Sequence, residues 1–579
     1  MRRWAPTRRA AAHHRPRAGP KTLVGPRPYG ACVRPLPLLA LARGPGGWAT
    51  FDGEEVRTWR DDTPPDLSCH GSGARVVVWS ATRDLTELAQ ARALPARVLD
   101  LAECHRLRYG GWPADPARVW AGVRGLDVEQ VPELEPEDLF AAFAEPLAPE
   151  ALLTPAGYLR PDAVAGTWQH TPQRLAAWAR AVYECGNAVV AELAARGPQA
   201  LATAISESSA ALLCLELERD GLPVDRATMA GLIAQAAGER PRDAAHGIVL
   251  RAERDQAVLR HAPGHERTDL RNPGAVKELL AAVGIDVPST RKWVLEPYRE
   301  AHPLVPALLD WRTQERIATT YGYHWLDTQV GTDDRLRGRW TVCDGAAGRM
   351  TAENGLHNLP VVLRPGVRAE RGHVFVRADL GQIEPRVLAC VTGDAAFAAA
   401  TSADDLYAPV AARLGVDRAH AKVAVLAAMY GQRSGTAGAA LAGLQRAYPV
   451  AMTFLDQAYD AGAAGADLRT VGGRLIRTSG PADPGARGRY ARNALIQGAA
   501  AELFKAWAAT VRATTADLGA EVVLCLHDEL LIHVRAAQAA ATVERVGAAL
   551  NDAARRWSGG APVRFVTDSV VIQRWSEAK

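Results

Sequence analysis

The sequence contains few cysteines and no cysteine pair. Its 579 residues include 8 cysteines, and none stands in a Cys-x-x-Cys arrangement, which argues against a zinc site of the usual kind. No feature of the sequence indicates secretion. We therefore expect reduced thiols and a cytoplasmic location, because disulfides are rare in that compartment.

Long apolar runs are also missing. No stretch approaches the about 20 apolar residues that a membrane-spanning helix requires, so a membrane partner is not expected. Hydrophobic residues make up 48% of the chain and charged residues 23%, as in soluble globular proteins. A chain of this length should contain roughly two to four domains.

Acidic residues are absent from positions 1–51, where arginines are frequent. We predict a basic disordered tail over residues 1–22. An Arg-rich organelle-targeting peptide is the alternative interpretation. Over the whole chain the net charge is +4, which permits a nucleic-acid partner without requiring one.

The distribution of apolar residues divides the rest of the chain. Short apolar runs at Arg75–Trp79 and Ala96–Leu101 alternate with polar, helix-like segments, which predicts an α/β domain. Helical periodicity dominates from Pro172 to Leu326. From Gly338 onward strands and helices mix, and the strongest motifs lie there.

Two apolar runs flank the triplet His527-Asp528-Glu529. Runs of this length, bounded by polar residues, predict two buried strands that meet at the acids. Burying acids beside a core is unfavourable unless a metal or another cation pairs with them. The triplet is therefore either part of a metal site or a solvated hairpin tip.

A second acid stands at the end of another predicted strand. The segment Val374–Leu388 begins as an alternating strand that ends near Asp379, and Pro385 then suits the first turn of a helix that starts near Glu384. A carboxylate in this position suits a hard cation such as Mg²⁺. A simple turn-forming role for Asp379 explains the pattern equally well.

A predicted helix downstream presents cations and an aromatic along one stripe. Asp417 is its predicted N-cap and Gly431 its C-terminal stop. A helix N-terminus with Arg and Lys is a natural site for a polyphosphate. A surface helix with scattered cations is the alternative, but the other residues are mostly Ala, Val, Leu and Met, which predicts burial. The stripe repeats every four residues: Arg418, Lys422, Leu426 and Tyr430.

These motifs together resemble those of family A DNA polymerases, the DNA polymerase I type. The resemblance covers roughly residues 205–579, and its motifs occur in the family's order. They are Arg312 through Tyr321, Gly348-Arg349-Met350 through Pro360, Asp379-Leu-Gly-Gln-Ile-Glu384-Pro-Arg, Arg418-x-x-x-Lys422 through Tyr430-Gly431, Thr470-Val-Gly-Gly-Arg474, Arg489-x-x-x-Asn493 through Gln497-Gly498, and His527-Asp528-Glu529-Leu530.

The resemblance implies a DNA-directed DNA polymerase acting in replication or repair, on primer–template DNA and deoxynucleoside triphosphates. Asp379, Asp528 and the Leu380 carbonyl would hold two Mg²⁺ ions, with Mn²⁺ as a substitute. Asp379, Asp528, Lys422 and Glu529 are the implied catalytic residues, with Glu529 in a supporting role. We expect a monomer in the bacterial cytoplasm, associated with the nucleoid.

The resemblance also implies binding roles. Nucleotide-binding residues would be Arg418, Lys422, Leu426, Tyr430, Glu384, Gln382 and Tyr407. Glu384 would exclude a ribose 2′-hydroxyl. DNA-binding residues would be Arg349, Gln497, Arg489, Asn493, His527 and Arg474; of these, Arg349 and Gln497 would probe minor-groove acceptors that every correct base pair shares.

Two positions depart from the family pattern. Leu426 stands where the family usually carries an aromatic that packs on the incoming sugar, and Tyr407 stands where a His usually approaches the phosphates. We expect nucleotide affinity and sugar discrimination to differ accordingly.

The implied fold is an α/β multidomain protein. A right-hand polymerase domain would occupy residues 201–579, with the thumb at about 205–335 and the palm and fingers at about 336–579, the fingers at about 395–490. An RNase H-like 3′–5′ exonuclease-type domain would occupy residues 23–200.

The N-terminal domain is expected to be inactive. Exonuclease chemistry needs an Asp-x-Glu on the first strand and a Tyr-x-x-x-Asp, but no such Asp-x-Glu is found, and Tyr183 is followed four residues later by Asn187. Asn is neutral and binds Mg²⁺ poorly. A residual exonuclease activity and a non-catalytic DNA-binding scaffold are the alternatives.

Overall fold

The computed structural model describes residues 21–22, 36–60, 65, 67, 73–134, 148–431 and 437–578. Most of the predicted basic tail, at residues 1–20, lies outside the described residues. The described part contains two large sheets, one near each end of the chain, with a long helical region between them.

The N-terminal sheet has five strands in the order β4-β3-β2-β5-β6. β2 pairs antiparallel with β3 and parallel with β5, and β5 pairs parallel with β6. The two apolar runs predicted here form β5 and β6, so that prediction is confirmed. The strands, after a short β1 at Lys21–Thr22, are β2 Leu38–Gly44, β3 Gly47–Phe51, β4 Val56–Trp59, β5 Arg75–Val78 and β6 Val98–Asp100.

Helices cover this sheet and build its core. α6 packs along β2 and β3, and Gly186 lets the helix approach Val77 closely, because an added Cβ would lie 2.9 Å from a Val77 methyl. Trp79 and Trp178 are buried against each other with ring centroids 5.1 Å apart. The helices are α1 Ala81–Asp84, α2 Thr86–Gln90, α3 Leu101–Tyr109, α4 Pro116–Arg124, α5 Pro161–Ala165 and α6 Pro172–Arg196.

The next helix, α7 at Pro198–Asp220, corrects the expectation that no apolar run approaches membrane-spanning length. It is long and apolar enough to cross a membrane by length and composition, but 72% of its apolar window is buried inside the protein. α7 packs against α20, α6 and β6. It is thus a core helix that lies between the N-terminal part and the rest of the molecule.

A helical region follows, as the periodicity predicts. Part of it has its own apolar core, which includes Val276, Leu280, Leu304 and Leu308. The helices are α8 Arg226–Ala237, α9 Ala244–Leu259, α10 Pro273–Ala282, α11 Lys292–Leu295, α12 Leu304–Thr320 and α13 Tyr323–Gln329, with short strands β7 Leu222–Pro223, β8 Arg335–Leu336, β9 Trp340–Thr341 and β10 Thr351–Ala352.

The C-terminal sheet has four antiparallel strands in the order β14-β15-β11-β16 and is called the palm sheet below, after the region in which the sequence predicts a palm. The predicted strands on both sides of the His-Asp-Glu triplet and the predicted strand ending near Asp379 are all present. The strands are β11 His373–Leu380, β14 Glu521–Leu526, β15 Glu529–Arg535 and β16 Thr567–Ile572.

Two long helices pack with the palm sheet. α20 runs over Pro484–Thr515, with Asp483 as its N-cap and Pro484 in its first turn, and α21 runs over Ala539–Ser558. Between β11 and α20 the chain forms a helical segment, closed by the short pair β12 Leu468–Arg469 and β13 Leu475–Ile476. Its helices are α14 Ile383–Thr392, α15 Ala395–Ala400, α16 Tyr407–Leu414, α17 Arg418–Tyr430, α18 Ala437–Ala447 and α19 Pro449–Ala463.

Candidate active site

The palm sheet brings three acidic residues together across neighbouring strands. Asp379, near the end of β11, lies opposite Glu529 of β15 on one side and Asp568 of β16 on the other. The backbone N–H of Leu380 donates to the carbonyl of Asp528 over 2.8 Å, which fixes the β14–β15 turn beside the end of β11. The two predicted metal ligands thus lie at one edge of one sheet.

The turn between β14 and β15 consists of His527 and Asp528. His527 has a φ of +32°, a left-handed conformation that is uncommon outside glycine. Burial, together with the charges of the neighbouring Asp379 and Glu529 carboxylates, raises the pKa of the Asp528 carboxyl to about 6. A simple solvated tip would not be half-buried among like charges.

The donor atoms in this cluster fit a hard divalent cation. Burial also raises the pKa of the Asp379 carboxyl, with Arg377 opposing the shift and the charges of Glu529 and Asp568 adding to it. A bound cation would relieve this repulsion between carboxylates. Carboxylate and carbonyl oxygens are the ligands that Mg²⁺ and Mn²⁺ prefer.

Arg377 is a residue of this site that the sequence motifs did not identify. Its Nη2 donates to Asp379 Oδ2 over 2.9 Å, and its Nε donates to Glu529 Oε2 over 3.0 Å. The other oxygen of Glu529 accepts a hydrogen bond from the Trp575 indole N–H over 2.8 Å. Glu529 is therefore buried, with both carboxylate oxygens engaged. The two-residue period of β11 was the available signal, because it puts residues 377 and 379 on one face.

Asp568 was also missed. It is exposed and lies opposite Asp379 in the β11–β16 register. No local motif marks it, since only the pairing of two strands nearly two hundred positions apart in the sequence places it beside Asp379.

The cationic helix α17 has the predicted caps. The Asp417 side chain accepts a hydrogen bond from the N–H of His420 over 2.8 Å, and Gly431 ends the helix with a φ of +69°. The prediction that its cations lie on a buried helix is wrong in part. Arg418 and Lys422 are exposed, and only the opposite face of the helix, with Ala424, is buried.

Arg418 is held by an acidic side chain from the preceding loop. It forms an ion pair with Asp405, and its guanidinium lies 5.8 Å from the ring centre of Tyr407. Within the described part of the chain, no hydrogen bond or ion pair engages the Lys422 ammonium, which leaves it available to an anion. The Tyr407 side chain is buried, and burial raises the pKa of its hydroxyl to about 12.

The Gln382 side chain hydrogen-bonds to the loop that contains Asp405. Its Oε1 accepts the N–H of Leu406 over 3.0 Å, and its Nε2 donates to Asp405 Oδ1 over 3.4 Å. The structure thus assigns it to positioning Asp405 and, through it, Arg418. Leu426 is half-buried and packs against the core.

Two predicted residues contact Glu384, and a third lies beside one of them. Arg349 Nη2 donates to Glu384 Oε1 over 2.9 Å, and the Tyr430 hydroxyl donates to Glu384 Oε2 over 3.5 Å. The Gln497 side chain lies beside the Tyr430 hydroxyl. Burial raises the pKa of the Glu384 carboxyl, and Arg349 opposes that shift. These contacts join the predicted gate, the predicted template-side aromatic and both predicted minor-groove residues in one network.

The remaining predicted DNA contacts differ in exposure. Arg489 and His527 are exposed and Asn493 is half-buried, so all three present polar groups near the surface. Burial lowers the pKa of the His527 imidazole, and the charge of Arg349 lowers it further. His527 is therefore neutral at pH 7.

The predicted DNA contact of Arg474 does not fit the structure and is corrected. Its side chain is 2% exposed and forms an ion pair with Glu207 of α7 over 2.7 Å. The Lys505 ammonium shares the same carboxylate. The buried guanidinium joins the segment just before β13 to α7 and cannot reach a DNA phosphate.

The N-terminal sheet holds a different set of polar residues. The central strand β2 contains no acid, and Ala40 and Ala42 are buried in it. Asn187 donates from its side chain to the carbonyl of Tyr183 over 3.2 Å. Asp84, which the motif search missed, is buried beside β5, and burial raises the pKa of its carboxyl to about 6.

A second group of candidate metal ligands lies at the opposite end of the palm strands. Ligand atoms of Glu370, His373 and His533 lie within 4.8 Å of one another. Two of their donor atoms are already engaged, because Arg335 forms an ion pair with Glu370 Oε1 over 2.7 Å and His533 Nε2 accepts the N–H of Glu370 over 3.3 Å. None of these residues was predicted to bind metal.

Comparison with known proteins identifies relatives. The family model described as DNA polymerase family A matches residues 276–576. DNA polymerase I of Deinococcus radiodurans is 28% identical over 295 residues, which cover 45% of this chain and 31% of that protein. DNA polymerase I of Chloroflexus aurantiacus is 31% identical over 273 residues, covering 41% and 29% respectively. The matched segments thus span about a third of the length of these curated relatives.

One solved structure resembles nearly the whole chain. It is described as the POL domain of Pol1 from M. smegmatis in complex with DNA primer-template and dNTP. The TM-score is 0.65 and the sequence identity 18%, and the match covers 93% of this chain and 95% of that one. At this identity the likeness concerns the fold.

Proposed function

The chain belongs to DNA polymerase family A, and from this we propose that it is a DNA-directed DNA polymerase that adds deoxynucleotides to a primer 3′-hydroxyl in replication or repair. The observation that carries the proposal is the placement of Asp379 and Asp528 at one edge of the palm sheet. Primer–template DNA and deoxynucleoside triphosphates are the proposed partners, and a monomer in the bacterial cytoplasm, associated with the nucleoid, is the proposed state.

The acids would serve metal-assisted nucleotidyl transfer. Asp379, Asp528 and the Leu380 carbonyl would hold two divalent ions, Mg²⁺ or in its place Mn²⁺, which activate the primer hydroxyl and stabilise the leaving pyrophosphate. Glu529 supports this arrangement from the side, since both its oxygens are engaged.

The exposed stripe of α17 would bind the triphosphate. Arg418 is oriented by Asp405, and the Lys422 ammonium, which has no hydrogen bond or ion pair among the described residues, lies one turn further along the helix. Cations at a helix N-terminus favour a polyphosphate. Lys422 is also the group that would give a proton to the departing pyrophosphate.

The Glu384 network would select the nucleotide. A carboxylate held by Arg349 and Tyr430 is fixed in position, and a fixed side chain can exclude a 2′-hydroxyl by steric contact. Arg349 and Gln497 would probe the minor groove from the same network. Leu426 offers the incoming sugar an aliphatic surface in place of an aromatic one.

The finer architecture is proposed as well. Residues of about 205–335 would be the thumb and residues of about 336–579 the palm and fingers, with the helical segment at about 395–490 as the fingers. The separate apolar core of the region around α10 to α12 supports a thumb that forms its own unit.

Residues 23–200 would be an exonuclease-like domain without activity. The mixed sheet order β4-β3-β2-β5-β6 is the order expected of an RNase H-like sheet, and β2 lacks the acids that exonuclease chemistry needs. A 5′-labelled primer with a 3′ mismatch should survive incubation with the protein and Mg²⁺. Shortening that EDTA abolishes would show that the domain proofreads.

Primer extension tests the proposed function. Wild type should extend a primer on a template in the presence of Mg²⁺ and nucleotides, and Asp528→Ala should not. Asp552→Ala, which removes an acid that pairs with Arg555 and Arg556 on α21, should extend like wild type. Failure of wild type to extend, or equal extension by Asp528→Ala, would remove the polymerase interpretation and favour a non-catalytic scaffold.

A further inference from the structure

An arginine is built into the acid cluster of the palm sheet. The Arg377 side chain is 11% exposed, and its Nη2 lies 2.9 Å from oxygens of both Asp379 and Glu529. Such a double contact requires that one planar guanidinium meet two carboxylates at once, which Arg geometry suits. The position cannot be a solvated surface pair, since little of the side chain reaches water.

The partners of Arg377 are not equally occupied. Glu529 has both oxygens engaged, one by Arg377 and the other by Trp575. Asp379 gives only Oδ2 to Arg377, and no hydrogen bond engages its Oδ1 within the described residues. Asp379 therefore keeps one oxygen for a cation, whereas Glu529 has none free.

From this geometry we propose that Arg377 is a positioning residue that sets the divalent-cation affinity of the palm site. It neutralises the acid cluster when no metal is bound, it withholds Glu529 from the metals, and it weakens metal binding at Asp379. The inference rests on the proposed function, since it takes Asp379 and Asp528 as the metal ligands.

Electrostatics gives the direction of both effects. A fixed positive charge beside a carboxylate repels a second cation that approaches the same group. Without it, Asp379, Glu529 and Asp568 would repel one another unopposed in the metal-free protein. Removal of the charge should therefore lower stability in the absence of metal and raise the affinity for metal.

Titration of Mn²⁺ into the full-length protein, followed by calorimetry, tests the proposal. Arg377→Met keeps the length of the side chain and removes the charge, and it should bind Mn²⁺ roughly tenfold to hundredfold more tightly than wild type. Arg377→Lys keeps the charge and should stay much closer to wild type. Arg512→Met is the matched control, because Arg512 pairs with Glu216 through two hydrogen bonds away from both groups of candidate metal ligands, and it should leave Mn²⁺ affinity unchanged.

Thermal unfolding supplies a second readout. In EDTA the melting temperature of Arg377→Met should be lower than that of wild type, and added Mg²⁺ should raise it by more than it raises wild type. If Arg377→Met does not fold, the same comparison is made with Arg377→Lys, whose looser contact should give smaller shifts of the same sign.

The outcomes separate the inference from the proposed function. Wild type that binds Mn²⁺, together with Arg377→Met of equal or weaker affinity, would overturn the role of Arg377 alone. Wild type whose Mn²⁺ binding is unaffected by Asp528→Asn would overturn the metal site itself. Tighter binding by both Arg377→Met and Arg512→Met would show a general charge effect and would also overturn the inference.

Discussion

The two large sheets of this protein treat acidic residues in opposite ways. In the palm sheet Asp379 lies near a strand end and keeps one carboxylate oxygen without a hydrogen bond among the described residues, whereas in the N-terminal sheet both oxygens of Asp100 accept backbone N–H groups. Asp100 accepts from the N–H of Ala81 over 2.7 Å and from that of Glu103 over 2.9 Å, as the cap of α3. A carboxylate at the end of a strand is thus a metal ligand only where its oxygens are not needed to satisfy helix ends.

Asp84, beside the N-terminal sheet, also differs from the acids of the palm sheet in its surroundings. It is buried and its pKa is raised to about 6, as is that of Asp528. Burial is the largest cause of the raised pKa in both residues. Asp84, however, lies beside the charge of Arg83, and its Oδ2 accepts the N–H of Ser80, whereas Asp528 faces further acids. A raised pKa alone therefore does not identify a catalytic acid.

The largest expected effect comes from removing one acid in each sheet. Asp379→Asn should reduce the rate of primer extension by about a thousandfold or more, because it removes a charge that stabilises the metals and the transition state. Asp84→Asn should leave the rate within about twofold, since nothing at the N-terminal sheet would take part. Single-nucleotide incorporation on one primer–template measures both. A comparable loss in Asp84→Asn would end the distinction between the sheets.

A smaller effect should appear in the pH dependence of stability. The pKa of Asp528 is raised from 3.8 to about 6 on folding, so its stabilising contribution is full below pH 3.8 and is lost as the pH rises through about 6. A shift of this size corresponds to about 3 kcal/mol. Solvent screening at a half-buried group should reduce it to about 1–2 kcal/mol.

Chemical unfolding in EDTA between pH 4 and pH 7 measures this contribution. The free energy of unfolding of wild type should fall relative to that of Asp528→Asn over this range, and Mg²⁺ should remove the difference. The free energy of unfolding of wild type should also fall relative to that of Asp84→Asn over this range, but Mg²⁺ should not alter this difference. An equal response of both variants to Mg²⁺ would contradict the assignment of the metal site to the palm.

The smallest expected effect lies at Leu426, on the nucleotide side of the palm site. Leu426→Phe restores an aromatic surface for the incoming sugar and should lower the KM for nucleotides a few-fold, corresponding to about 1 kcal/mol of added contact. Steady-state kinetics with Leu426→Met as the size control would show it. No change, or a rise in KM, would mean that this position does not contact the sugar.

The structural features that the sequence predicts are local. The hairpin around Asp528, the strand that ends near Asp379, and the caps Asp417 and Gly431 follow from patterns within about fifteen residues. These elements depend on neighbours along the chain, so periodicity and capping residues are sufficient to find them.

The structural features that the sequence does not predict depend on pairing between distant segments. Asp568 joins the site only through the register of β16 with β11, and Arg474 is buried because α7 brings Glu207 to it. Arg377 stands two residues before Asp379, a spacing shared by any two neighbouring residues on one face of a strand. Its contact with two carboxylates depends on the register that puts Glu529 opposite Asp379.

Mn²⁺ binding by variants of the two sheets tests the central claim most directly. Mn²⁺ titrated into wild type, Asp84→Asn and the double variant Asp379→Asn/Asp528→Asn should bind saturably to the first two with the same affinity and not to the third. Saturable binding that persists in the double variant, or is lost in Asp84→Asn, would contradict the claim that the palm sheet and not the N-terminal sheet holds the catalytic metals.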